Sequence, residues 1–452
     1  MSEHTPHKIS IIGAGSAVFS LNIIRDICLT PRLQGSLISL MDIHPDRLEA
    51  ASTLCRRYAS EVGINLQIEQ TTDRRTALLG ADVVINTALA GGHEWLREGW
   101  QIARKHGYRF GGSLHIMHDE PFWINFYQLQ LFESIIQDIL EICPDAWYIQ
   151  SANPVMGGIT HLARKYPQAK IVGLCHGFTE IYEIARILGL DDRDQLTFEI
   201  PGVNHFVWLT RAYYKGEDVF PLLDEWIATK SRQYWASQQG GSLRPKQIDL
   251  YKRFGALPIG DTGTDGGGSW GWWYHTDAET EALWQENPEK WWKDYFHYTS
   301  QGVEQIRQIG ADMQNPVTAH FKPELSHESI IPLIESLLHD IPRVMIVNVQ
   351  NTGEYVPGIP RDFAVEVPAL VSKRGIQAVQ TAGLPAAPLA YALRDCVAPW
   401  NLELEAYTQH SKQLLLEVVM MDHWTQSEQQ ARALLDEILS LPYHNVLREH
   451  YQ

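Results

Sequence analysis

The sequence predicts an α/β protein in two parts, a doubly wound parallel sheet over residues 1–200 and a second, mostly helical α+β part over residues 201–452. Three observations predict it. Short apolar runs alternate with helix-length periodic segments from Lys8 to Leu174. A glycine turn follows the first of those runs. The alternation stops near residue 200, beyond which helical patterns dominate, and 452 residues are enough for two lobes sharing an interface.

The elements follow in order. Lys8–Ile12 is an apolar strand, Gly13-Ala14-Gly15-Ser16-Ala17-Val18-Phe19 turns the chain, and Ile23, Ile24 and Ile27 carry a helical period. The first glycine permits the tight turn, the second lets a pyrophosphate approach the backbone, and the helix N-terminus supplies free N–H groups. Val18 stands where the third glycine of the usual fingerprint would be. A second strand, Leu37 to Met41, ends in Asp42, an acid placed to bond a ribose hydroxyl, although further downstream than the usual spacing of about 20 residues. These residues predict a Rossmann-type dinucleotide site built from Gly13, Gly15, Ser16, Ala17, Val18, Phe19 and Asp42. Helix 45–62, strand 66–70, a short helix and strand 82–86 continue the pattern, with Asn86 at the strand end as a further candidate cofactor contact.

The loop after that strand, Leu89-Ala90-Gly91-Gly92-His93, either approaches the cofactor or is a plain connection. Helix 94–105 leads to a long loop crowded with His115, His118, Asp119 and Glu120, and such polar crowding usually means function. Helix 121–143 precedes strand 147–150, which ends in Asn153-Pro154. The proline holds Asn153 extended, so its amide projects beyond the sheet edge toward the cofactor cleft.

Ile171 to Leu174 is a short buried strand that leaves Cys175 at its carboxyl end, with His176 beside it and Gly202-Val203-Asn204-His205 close behind. A thiolate and an imidazole are strong ligands for a borderline divalent ion, and a site with two protein ligands keeps positions open for substrate. On spacing alone, such a cysteine or histidine is more often a packed core residue than a ligand. Later stretches are a strand at 207–209, helices at 221–233 and 245–254, and strands at 344–347 and 363–367. Asp261, Thr262 and Asp265 precede Trp270, Trp272 and Trp273, aromatic residues suited either to a core or to stacking on sugars. Asn348, Asn351, Gly353 and Arg361 are candidates for the cleft border.

Composition narrows the function. The apolar fraction of 44% and charged fraction of 20% are globular. A formal charge of -17 without clustered Lys and Arg argues against nucleic acid or anionic lipid as partner and toward small-molecule chemistry. Five scattered cysteines form no disulfide framework, which fits a reducing cytoplasm. No apolar run approaches the 18 residues of a membrane span, and the first strand is too short for a signal peptide.

Taken together, Gly13-Ala14-Gly15-Ser16, Asp42, Asn153-Pro154, Cys175-His176-Gly177 and Gly202-Val203-Asn204-His205 resemble family 4 of the glycoside hydrolases, over nearly the whole chain. The Cys-His-Gly signature is most similar to the branch holding α-glucosidases and α-glucuronidases. The resemblance implies an NAD⁺-requiring, usually Mn²⁺-dependent hydrolase of α-glycosides, an exception to two-carboxylate chemistry. It implies metal ligands at Cys175 and His205, an acid-side residue at His176, sugar contacts at His118, Asp119 and Asn204, and a sugar or nicotinamide contact at Asn153. Pro258 to Thr262 resembles the α-glucosidase pattern with Asp261 as base, and Asp265 or a tyrosine such as Tyr274 is the alternative. Phe178 departs from one α-glucosidase subgroup, which has His there, and so leaves the sugar open between α-glucosides and uronides or galactosides. The implied reaction oxidises C3 of the sugar, removes the acidified C2 proton, eliminates the glycosidic oxygen, adds water and reduces C3 again. A homodimer or homotetramer is expected. A dehydrogenase of the malate or lactate type shares the fold but needs no thiolate-bound metal and would make net NADH, and a non-catalytic sugar or nucleotide sensor would release no aglycone.

Overall fold

The computed structural model describes residues 6–237, 241–264, 270–312, 314–326 and 328–452. Six strands from the first 200 residues form its parallel core: β1 (Lys8–Ile12), β2 (Leu37–Met41), β3 (Gln67–Thr71), β4 (Val83–Asn86), β5 (Trp147–Gln150) and β6 (Lys170–Gly173). They lie in the order β3-β2-β1-β4-β5-β6, all parallel, with the chain crossing back between β3 and β4. This is the doubly wound dinucleotide-binding order, whose switch point lies at the carboxyl ends of β1 and β4. The connecting helices are α1 (Ala17–Leu29), α2 (Pro45–Glu61), α3 (Arg74–Leu78), α4 (Gly92–Lys105), α5 (Phe122–Ile142) and α6 (Val155–Lys165), followed by α7 (Glu180–Ile187) after β6.

The sheet does not end with β6. The later strands are β7 (Leu196–Glu199), β8 (Gly202–Val203), β9 (Phe206–Leu209), β10 (Arg211–Tyr214), β11 (Glu217–Asp218), β12 (Leu257–Ile259), β13 (Arg343–Gln350), β14 (Ala364–Ser372) and β15 (Gly375–Ala378). β13 joins β6 antiparallel, and β14, β8, β9 and β12 continue outward, so twelve strands form one mixed sheet. β7, β10 and β11 make a separate three-stranded sheet. The core follows the same continuity. Ile9 and Ile11 of β1, Ile24 of α1 and Val172 of β6 share one buried cluster with Val347 of β13 and Val371 of β14. Both faces of these strands are covered, which is why they read as continuous apolar runs.

Three elements differ from expectation. The helix expected at 221–233 is two, Phe220–Thr229 and Ser231–Ser237, parted at Lys230. The strands expected at 344–347 and 363–367 are β13 and β14, eight and nine residues long, because their pairing with each other extends well beyond the apolar runs. No helix among the described residues is long and apolar enough to cross a membrane.

Candidate active site

The turn after β1 is set by hydrogen bonds rather than by side chains. Gly13 and Ala14 both donate their N–H to the Met41 carbonyl (2.9 and 3.0 Å). Gly13 has φ 88°, and a Cβ there would sit 2.6 Å from the Ala88 nitrogen, so the close approach of the β4 loop requires glycine. Gly15 N donates to Asp42 Oδ2 (2.8 Å) and His44 N to Asp42 Oδ1 (2.9 Å), so Asp42 ties the turn to the end of β2. Ser16 precedes α1 without capping it by its side chain, and Ala17 and Val18 open the helix, leaving first-turn N–H groups for an anion. Phe19 packs half-buried against the core. Asn86 corrects the expectation of a cofactor contact. It is wholly buried, donating to Tyr148 Oη (2.9 Å) and accepting from Ala88 N (3.1 Å), because its side chain points into the sheet layer and braces the β4 turn.

Around the ends of β5 and β6 the polar residues converge. Asn153, beyond β5 and ahead of a cis proline peptide, donates Nδ2 to Asp119 Oδ2 (2.7 Å). The other Asp119 oxygen pairs with His118 Nδ1. Burial works against ionisation of Asp119, but His118 holds its carboxyl well below the usual range. His115 does not join them. It is buried against Glu403 on the far side of Asn125.

His205 sits in a two-residue hairpin turn between β8 and β9 with φ 60°. A non-glycine residue in the left-handed region is strained, and such strain persists where surroundings over-determine it. Here Thr262 Oγ1 accepts from Val207 N (2.8 Å) and donates to the His205 carbonyl (3.4 Å). The imidazole lies between two carboxylates, with Nε2 3.4 Å from Asp261 Oδ2 and Nδ1 3.1 Å from Glu120 Oε1. Burial alone would lower its pKa, yet Asp261, Cys175 and Glu120 together raise it well above the ordinary value. Cys175, two residues past β6, is half-buried, and burial pushes its thiol up.

Asn204, the neighbouring turn residue, is buried and donates to Glu366 Oε2 (3.0 Å), which also accepts from Asn348 Nδ2 (2.9 Å). Through Nδ2 the amide pins the hairpin to β13 and β14 by way of Glu366. Asn348 has the same function, and Asn351 is buried on Val356 and Ile359, so neither borders an open cleft. Arg361 pairs with Glu354 at the surface.

The Asp261 segment follows β12. Gly260, at φ 59°, lies against Gly177; a Cβ on Gly260 would fall 2.8 Å from the Gly177 carbonyl oxygen. Gly260 thus lets the Asp261 loop touch the Cys175 loop backbone to backbone at Gly177. His176, between them in sequence, is exposed. Tyr274 is not at the site: its hydroxyl donates to Asp249 Oδ2 (2.5 Å) in a buried position. The tyrosine facing the cluster is Tyr295, on helix Pro288–Ala311; burial raises its phenol and Asp119 and Asp261 add to the effect. Its ring meets His93 edge-on at 5.8 Å, which brings the glycine-rich loop after β4 to the same cleft. Trp270 is core, packed on Phe206 and Trp208. Asp265 lies outside the described residues.

The donor set fits a divalent metal. Ligand atoms of Cys175, His205 and Asp261 lie within 4.8 Å of one another, as do those of His118, Asp119 and His205. Four carboxylates, of Asp119, Glu120, Asp261 and Glu366, surround His205 or the residues that hold it. Glu120 is fully buried and neither of its carboxyl oxygens has a hydrogen-bond donor among the described residues, although the His205 ring faces Oε1 at 3.1 Å. A buried carboxyl without a donor is one that a cation would satisfy, and sulfur, nitrogen and oxygen donors together suit a borderline ion. The sequence pointed to Cys175, His205 and Asp261, but it singled out neither Glu366 nor Glu180, lone acids within a strand and a helix without a motif around them.

The family model described as family 4 glycosyl hydrolase matches residues 8–190, and the one for the C-terminal domain of that family matches residues 200–425. The chain is 27% identical to an α-glucosidase of Erwinia rhapontici, covering 98% of this chain and 99% of that one. It is 25% identical to an α-galactosidase of Bacillus subtilis strain 168, covering 93% and 94%. Among solved structures, a 6-phospho-α-glucosidase from gut microorganisms, in complex with NAD and Mn²⁺, superposes with TM-score 0.80 at 20% identity over 99% of both chains. The chain therefore belongs to family 4 of the glycosyl hydrolases.

Proposed function

We propose that this hydrolase cleaves small α-glucosides and needs NAD⁺ and a divalent metal, with Mn²⁺ the first candidate. The observation that carries the reading is the meeting of Cys175, His205 and Asp261 on the β6 side of the sheet whose β1 turn is built for a dinucleotide. The names of the α-glucosidase and α-galactosidase relatives, and of the NAD- and Mn²⁺-bound structure, support it. When bound, NAD⁺ supplies reversible oxidation of a sugar C3 hydroxyl, and the metal, held by Cys175 and His205, supplies a Lewis acid that acidifies the C2 proton.

The chain's own residues do the rest. The glycine turn and Asp42 hold the dinucleotide at the β1–β4 switch point. Glu120 fixes the His205 ring through Nδ1, leaving Nε2 directed toward Asp261 and the ligand position. Asp261, 26% exposed in its side chain, takes the C2 proton; a carboxylate suffices because that proton is already acidified. His176, exposed one residue from Cys175, is placed to give a proton to the leaving oxygen. The Asp119–Asn153 pair, one acceptor beside one donor 2.7 Å apart, suits vicinal sugar hydroxyls, with His118 behind it. The family's similarity to an α-galactosidase favours a galactoside as the second reading, with uronides next. A cytoplasmic homo-oligomer completes the proposal.

A panel of 4-nitrophenyl α-glycosides assayed with NAD⁺, Mn²⁺ and thiol tests this. Release of nitrophenol from the α-glucoside that stops on removal of either NAD⁺ or metal supports it. Net NADH production without nitrophenol would make the protein a dehydrogenase instead.

A further inference from the structure

The geometry points to Glu180 as a positioning residue that sets the spacing between the metal-ligand loop and the base loop. Glu180 opens α7, five residues after Cys175, so its backbone belongs to the Cys175 side. Its carboxylate reaches across to the other side. Oε2 accepts from Gly260 N (2.6 Å), the residue before Asp261, and Oε1 accepts from Gln247 Nε2 (3.0 Å).

Gln247 extends the link. Its Nε2 also donates to the Pro258 carbonyl (3.2 Å), and its Oε1 accepts from Arg244 N (3.1 Å). Arg244 Nη2 donates to the Gly263 carbonyl (2.9 Å) and Lys246 Nζ to the Thr264 carbonyl (2.8 Å). The first turn of helix Pro245–Phe254 and its N-cap thus grip the segment 258–264 at three carbonyls, while Glu180 grips it at one amide and ties it to α7. The Gly177–Gly260 contact stops the two loops from closing further, and Glu180 stops them from opening. A contact that resists compression and a hydrogen bond that resists extension fix a distance. Glu180 touches neither Cys175 nor Asp261 and acts through the backbone that carries them.

The inference rests on Asp261 being the base. It is tested in the holoenzyme with 4-nitrophenyl α-glucoside, ordinary and deuterated at C2. Glu180→Ala is expected to lower kcat by about tenfold or more with KM and NAD⁺ affinity little changed, and to raise the C2 isotope effect because deprotonation becomes slower. Amide exchange should rise in segment 258–264 and not in β1 or β4. The reciprocal exchange Glu180→Gln with Gln247→Glu restores the bond to Gly260 N and the 180–247 bond but not the one to the Pro258 carbonyl, and should recover part of the lost kcat. Native kcat and native exchange in Glu180→Ala overturn the proposal, and so does a kcat loss with an unchanged isotope effect and no recovery in the exchanged pair. A native enzyme that takes up no deuterium at C2 from heavy water overturns the base reading and this proposal together.

Discussion

Replacing Gly260 by alanine tests whether the touching loops matter for catalysis. The residue has φ 59°, and the added methyl would lie 2.8 to 2.9 Å from the carbonyl oxygen, carbonyl carbon and Cα of Gly177. Left-handed backbone costs an L-residue about 1–2 kcal/mol, and overpacking against unyielding atoms about 1–3 kcal/mol more. The clash is with backbone, so no side chain can swing aside. Relief requires the loops to part by roughly 0.6–1 Å to reach ordinary contact distance. Displacing a reacting group by about that much costs on the order of 10²-fold in rate. Gly255 is the control: its φ is 70° and nothing lies within 4 Å of its would-be Cβ, so Gly255→Ala reports the backbone term alone. Turnover of 4-nitrophenyl α-glucoside and urea unfolding of both variants are the measurements. Gly260→Ala should lose stability beyond Gly255→Ala and lose about two decades of kcat, whereas Gly255→Ala should turn over normally. Equal stability and equal turnover in the two variants would refute the reasoning.

Further tests address the other parts of the site. Cys175→Ser and His205→Ala should abolish Mn²⁺-dependent activity while NAD⁺ affinity by calorimetry stays native; ordinary Mn²⁺ demand in either would remove it from the ligand set. Asp261→Asn should cut kcat by about 10²–10⁴-fold and suppress deuterium uptake at C2, and wild-type uptake would transfer the base role, with Tyr295 next in line. Asp42→Ala should weaken NAD⁺ by about 1.5–3 kcal/mol, since it removes a charged acceptor from the ribose and also releases Gly15 N; unchanged NAD⁺ affinity would exclude Asp42 from the cofactor site. Burial raises the Asp422 carboxyl from an ordinary value of 3.8 to about 6. A folded-state pKa above the unfolded one gives stability present below pH ~4 and lost as pH rises through 6. The native protein should therefore lose about 2–3 kcal/mol more than Asp422→Asn between those limits, and parallel unfolding curves for the two would contradict this.

The first six strands were legible because each is a local apolar run punctuated by turns, and β1 through β6 fall where the pattern puts them. The outer strands were only half legible. Pairing of Asn348 with Gly173, or Glu366 with Gly202, joins residues more than 160 positions apart and leaves no local trace. The same holds at the site. Cys175 and His205 were visible as ligand types at strand ends, and Asp261 through its glycine-flanked segment. Asn86 read as a strand-end cofactor contact and Asn204 as a sugar contact, yet strand alternation and the hairpin turn their amides inward, where the donors are satisfied on Tyr148 and Glu366. Tyr274 and Tyr295 differ only in the helix or turn that carries them, which periodicity alone does not orient toward a cleft.

The antiparallel graft of β13 onto β6 has a consequence for how such chains can be recombined. A gene cut near residue 200 would leave β6 as an open edge, baring Val172 and a row of backbone groups that would pair with whatever strand came by. The cofactor half cannot be passed between relatives as a cassette, because its last seam is sewn by a thread returning from residue 343. The small sheet of β7, β10 and β11 is tied in as well, since Leu196 and Ala212 share a buried cluster with Val207 and Leu209 of β9 and Ile346 of β13, so trimming it would bare a second apolar face.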